Sequence, residues 1–81
     1  MDNKIFELGL SVEAISLYLL LDALIAAETP LNMANVHSRW NATEEMLSKS
    51  IAELQMNDII QINGQEFVLN PVSNWTETKK A

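Results

Sequence analysis

Eighty-one residues with no cysteine bound this chain to a single domain that lacks disulfides and thiolate metal sites. A domain of this size buries only ~60–65% of the surface its unfolded chain exposes, so its stability margin is thin and oligomerisation would help. The formal charge is −6, and from Ser11 to Asn70 eight acids (Glu13, Asp22, Glu28, Glu44, Glu45, Glu53, Asp58, Glu66) outnumber two bases, Arg39 and Lys49, a balance that repels phosphates unless the charges segregate.

Residues 1–10 carry Ile5, Phe6, Leu8 and Leu10 around a break at Gly9 and read as a lead-in segment that packs on the body or on a second chain. No basic stretch precedes an apolar run there, so no secretory leader is expected and a cytoplasmic location is. A first helix should begin at Ser11, a good cap, with Glu13 in the first turn where the helix dipole favours an acid. It should run to about Ala27, because Thr29 precedes Pro30 and avoids the α region. Its Leu17-Tyr18-Leu19-Leu20-Leu21 core wraps apolar side chains around the whole cylinder. Such a helix is covered on more than one side. It is too short and too interrupted to span a membrane, and no membrane association is expected.

A short second helix is expected from about Met33 to Trp40, with Val36 and Trp40 on one face. A third follows, capped by Asn41 or Thr43; Asn41-Ala42-Thr43-Glu44 has the form of a capping box. Leu47, Ile51 and Leu54 make its buried stripe, and Trp40 with Met33, Met46 and Met56 should fill the core. The chain then turns through Asn57 or Asp58, either of which tolerates a left-handed backbone. Two strands flank Asn63-Gly64, the strongest short signal for a type I′ turn. That turn would set Ile62 opposite Gln65 and Ile60 opposite Phe67. Ile60, Ile62, Phe67 and Leu69 would face the helices, and Ile59, Gln61, Glu66 and Val68 would face outward. Pro71 ends the second strand. Residues 72–81 read as a flexible polar tail, with Trp75 either docking back, anchoring a partner or idle.

The order helix, short helix, helix, hairpin resembles the winged helix-turn-helix superfamily. The likeness is carried by Pro30-Leu31-Asn32-Met33-Ala34-Asn35-Val36, by TEEMLSKSIAEL from Thr43 to Leu54, and by Gln55-Met56-Asn57-Asp58-Ile59-Ile60. It covers roughly residues 11–71 and implies an α+β fold, a three-helix bundle followed by a two-stranded β-hairpin wing. In that superfamily the third helix typically enters the major groove of DNA and the wing touches phosphates. Carried onto this chain, the resemblance makes Arg39, Thr43, Glu44, Glu45, Ser48, Lys49, Asn63 and Gln65 the candidate recognition face, for DNA or for a partner.

That face is poor in the cations that counterion release requires. Glutamate accepts from cytosine N4, a minority mode of readout, and Glu44 and Glu45 equally suit the positive end of a helix. A second candidate face, for a dimer or a partner, comprises Ile5, Phe6, Leu17, Leu20, Leu21 and Leu24. His37 stands alone, without the cysteine or clustered carboxylates that metal binding or acid–base chemistry would require. No phosphate loop or nucleophile motif is present, so no cofactor, metal, small-molecule substrate or enzymatic activity is expected. The expected function is a small non-catalytic regulatory module working through protein contacts or homodimerisation in a transcription or replication assembly. The alternative is a sequence-specific regulator binding double-stranded DNA.

Overall fold

The computed structural model describes residues 3–76. A short 3-10 helix, Asn3–Glu7, leads into three α-helices, α1 (Val12–Ala26), α2 (Met33–Arg39) and α3 (Glu44–Met56). An antiparallel hairpin of β1 (Ile60–Asn63) and β2 (Glu66–Leu69) follows, and a 3-10 turn, Val72–Asn74, closes the described chain. Three helices followed by a two-stranded hairpin is the expected α+β arrangement, consistent with a winged helix.

Each helix is started by a side chain that satisfies an otherwise orphaned amide. The Ser11 hydroxyl accepts from the Ala14 N–H at 3.2 Å, and Asn32 Oδ1 from the Asn35 N–H at 2.8 Å. Thr43 Oγ1 accepts from the Met46 N–H at 3.1 Å. Thr43 therefore caps α3, and the capping box read at Asn41 does not form: the helix begins two residues later, at Glu44.

Both longer helices end in the same way. After α1, Glu28 N–H bonds Ile25 O at 2.9 Å and Thr29 N–H bonds Leu24 O at 2.9 Å. After α3, Asp58 N–H bonds Gln55 O at 3.0 Å and Ile59 N–H bonds Leu54 O at 2.9 Å. This is the Schellman pattern, which puts one residue in the left-handed region, here Glu28 (φ 56) and Asp58 (φ 59). A side chain with a Cβ costs roughly 1–2 kcal/mol there. Glu28→Gly is therefore expected to stabilise the fold by about 1 kcal/mol, since glycine's greater unfolded entropy offsets part of the relief. A thermal melt should rise by about 4–8 °C for that gain, and a lower melting temperature would contradict the assignment.

The core gathers one face of every element. Leu17, Leu21, Leu24 and Ala14 of α1 meet Val36, Leu47, Leu54, Ile60 and Phe67. α1 packs chiefly on α3. Ser50 is buried in α3 and its hydroxyl donates to Met46 O at 2.8 Å, so it leaves no unpaired polar atom. The lead-in settles on this chain's own body through the fully buried Ile5 and Leu8, while Phe6 stays 53% exposed.

Several side chains lie elsewhere than the sequence suggests. The hairpin pairs Ile60 with Leu69, Gln61 with Val68, Ile62 with Phe67 and Asn63 with Glu66. The two-residue loop is thus Gly64-Gln65, not Asn63-Gly64. Gly64 holds φ +68 at the first central position, as a II′-type turn requires, and no positive φ is needed at Asn63. The shift preserves the inward face but replaces an Ile62–Gln65 pair by Ile62–Phe67, an apolar contact across the strands. Ile59 is fully buried rather than outward, because it precedes β1 in the turn that leaves α3. Met56 is 81% exposed rather than a core filler, and Trp40, Met33 and Met46 are half-buried.

Two features close the hairpin onto the helices. Met33 N–H bonds Gln65 O at 2.8 Å and Phe67 N–H bonds Leu31 O at 2.8 Å, so Asn32 makes a single antiparallel bridge with Glu66 of β2. Residues 72–76 also dock, contrary to the expected loose tail. The Trp75 ring is 6% exposed and stands edge-on to Tyr18, with ring centroids 5.4 Å apart. Residues 77–81 of that tail lie outside the described residues.

Candidate functional site

The two candidate faces fare differently. The apolar one is largely interior: Ile5, Leu17, Leu21 and Leu24 are fully buried and Leu20 is half-buried, which leaves Phe6 alone exposed. The reason is geometric. α1 packs chiefly on α3 and also on α2, and Tyr18 meets the docked Trp75, so the leucines expected to protrude fall within the core. The residues of α1 that do face solvent are others, Val12, Leu19 and Ile25. Val12 and Leu19 are seven apart and share a face with Ser16 and Ala23.

The polar face is assembled at the start of α3 and at the hairpin tip. Glu44, Glu45, Ser48 and Lys49 are all exposed on α3. Their placement follows from the Thr43 cap, which fixes the first turn of the helix and sets both glutamates where the backbone amides favour negative charge. Thr43 itself is spent locally. Its hydroxyl holds the Met46 amide and its carbonyl accepts the Trp40 indole N–H at 2.9 Å.

Polar side chains on this face lie close to one another. Lys49 Nζ lies 3.8 Å from Glu45 Oε2, one helical turn away, and His37 Nε2 lies 3.7 Å from Glu44 Oε2. These pairs are solvent-exposed, so they add little stability. Their consequence is local: the one cation on the outer face of α3 has an acid beside it. At the hairpin tip Asn63, Gly64 and Gln65 are exposed and uncharged, with the exposed Glu66 next in sequence. The Gln65 carbonyl is engaged by Met33, which anchors the tip to the start of α2.

Arg39 is exposed at the end of α2. It lines an open groove of about 350 Å³ together with Val12, Glu13, Leu20, Trp40 and Met46. The groove runs between the first half of α1 and the corner joining α2 to α3. Neither residue spacing nor periodicity signals it, because its walls come from two separate stretches that meet only in the folded chain. The nearest sequence signal is Trp40, a large aromatic at the end of a seven-residue helix, with too little helix around it to bury it.

A further contact fixes the geometry of α1 against α3. Glu53 accepts two bonds from Ser11, from its N–H and its hydroxyl, each at 2.7 Å. One glutamate thereby clamps the start of α1 while Ser11 caps it. Among the described residues no three His, Cys, Asp or Glu side chains are grouped to hold a metal ion, and no helix is long and apolar enough to cross a membrane. No protein-family model matches the chain, and no match was found among curated proteins or among solved structures.

Proposed function

We propose that this chain is a small, non-catalytic regulatory module of winged-helix type that acts through protein–protein contacts in a cytoplasmic transcription or replication assembly. The observation that carries this reading is the acidic start of α3. Glu44 and Glu45 occupy the turn that would meet a DNA backbone first, and Lys49 is already beside Glu45. The hairpin tip offers no base, and Glu66 follows it. Nucleic-acid binding draws much of its affinity from released counterions, about 0.9 per phosphate neutralised. Arg39 and Lys49 are the only bases between Ser11 and Asn70, too few for a typical duplex footprint.

The test is a titration of fluorescently labelled random-sequence duplex DNA, followed by anisotropy at low and at near-physiological salt. No saturable binding is expected at protein concentrations up to about 10 μM, even at low salt, where non-specific binders with several phosphate contacts would saturate. Saturable binding that falls steeply as salt rises would overturn the proposal and make the chain a DNA-binding regulator.

A further inference from the structure

An asparagine side chain is labile where the next backbone nitrogen can reach its Cγ. Only one asparagine of this chain, Asn63, is followed by glycine, which has no Cβ to crowd that approach. The fold leaves the pair open. Asn63 is exposed, and neither its side chain nor the Gly64 N–H makes a hydrogen bond among the described residues. A Cβ at Gly64 would meet nothing within 4 Å beyond its chain neighbours, so solvent surrounds the nitrogen. Asn63 and Glu66 form the last pair of the hairpin, and loosening it disturbs no pair beyond it.

The other asparagines lack this combination. Asn32 Oδ1 accepts from the Asn35 N–H and Asn35 Nδ2 donates to Pro30 O, each at 2.8 Å. Asn57 is 5% exposed and its Nδ2 donates to Thr76 O. Asn70 is bonded to Asp58 and Gln61, and the nitrogen after it belongs to Pro71 and has no proton to lose. Asn3, Asn41 and Asn74 precede Lys4, Ala42 and Trp75, each with a Cβ beside the nitrogen.

We propose that Asn63 is a site of spontaneous deamidation, a modification that makes the hairpin tip acidic with water as the co-reactant. The Gly64 nitrogen, having lost its proton to solvent base, attacks Asn63 Cγ. A C–N bond forms there, the bond to the side-chain nitrogen breaks, and that nitrogen takes a proton from water and leaves as ammonia. Water then opens the five-membered imide. Attack at the side-chain carbonyl leaves aspartate, and attack at the backbone carbonyl leaves isoaspartate. Nothing is oxidised or reduced: amide and water become acid and ammonia. Either product sets a second carboxylate opposite Glu66, where like charges weaken a strand pair. Isoaspartate also lengthens the backbone by a methylene beside the turn whose Gln65 carbonyl holds the Met33 N–H.

The test is to incubate the full chain for days at physiological temperature, from neutral to mildly alkaline pH, and to map its peptides by mass spectrometry. The peptide holding Asn63 is expected to give two products with OH in place of NH2, aspartate and isoaspartate. Conversion should be at least about tenfold faster than at any other asparagine and should rise with hydroxide concentration. Asn63→Gln keeps an amide at the tip but would have to close a larger ring, and should remove the acidic species seen by isoelectric focusing. Asn63→Asp should lower the thermal midpoint by about 1–5 °C. A synthetic peptide of residues 60–67 sets the reference: its conversion while Asn63 of the full chain stays intact would overturn the proposal. Faster conversion at another asparagine, or a rate indifferent to pH, would do the same. An Asn63→Asp variant as stable as the parent would overturn the effect on the hairpin. None of these results bears on the DNA titration, so either reading can fail alone.

Discussion

Leu21→Ala is expected to lower the unfolding free energy by about 3 kcal/mol, within the roughly 2–5 kcal/mol range of buried leucine truncations. Leu21 is fully buried in the middle of α1 and belongs to the cluster that joins α1 to the other helices and the hairpin. The substitution removes buried methyl groups and leaves a void that a small core cannot collapse to fill. A domain of this length has roughly 4–12 kcal/mol of stability in all, so the variant should lose a large share of it. Urea denaturation would read the loss as a midpoint lowered by about 2–3 M, at a slope of about 1 kcal/mol/M. Val12→Ala on the solvent side of the same helix should change stability by no more than about 0.5 kcal/mol. Equal effects at the two positions would mean that α1 is not oriented as described.

Trp75→Ala should rank with it, at about 3 kcal/mol. The indole fills space against Tyr18, and its N–H donates to Asn70 O at 3.0 Å. Removing it empties that space and leaves a carbonyl without its partner. The attachment goes beyond one ring, because Thr76 N–H bonds Asn57 O and Asn57 Nδ2 bonds Thr76 O, each at 2.8 Å. Trp75→Phe keeps the aromatic edge contact but not the hydrogen bond, and should cost only about 1 kcal/mol. The check is urea denaturation, together with loss of the near-ultraviolet circular dichroism that a fixed tryptophan produces. A loss below about 1 kcal/mol for Trp75→Ala would show that the docked indole contributes little to the fold.

Much of the fold was legible because it rests on local chemistry. Ser11 and Thr43 cap helices where a short hydroxyl side chain precedes an apolar-periodic run, and Thr29-Pro30 breaks the chain where φ/ψ must change. The hairpin's inward face was legible as well, since strand alternation has period two and a shift of the loop by one residue moves the pairing by two. The loop itself was not. Both Asn63-Gly64 and Gly64-Gln65 satisfy the need for a positive φ, and the choice falls to which pairing sets Phe67 against Ile62.

The same division runs through the candidate site. The acidic character of Glu44, Glu45 and Glu66 is a property of the residues and needs no fold to read. Which apolar residues of α1 are spare is a property of the packing. Periodicity cannot sort a helix whose apolar side chains go all the way round. Its neighbours do the sorting: α3 above all, with the lead-in and Trp75 in the same buried cluster, takes in the leucines and leaves Val12, Leu19 and Ile25 in water.

Sequence by itself determined the three helices and the start of the first, the hairpin and its inward face, and the shortage of cations on the expected recognition surface, because each depends on neighbours within a few residues or on composition alone. Tertiary structure alone decided the fate of Trp75, the burial of Ile5, Leu17, Leu21 and Leu24, and the groove that joins Val12 to Trp40 and Met46. Those outcomes depend on which distant surfaces close over one another, and burial is set by that closure rather than by any residue's own preference.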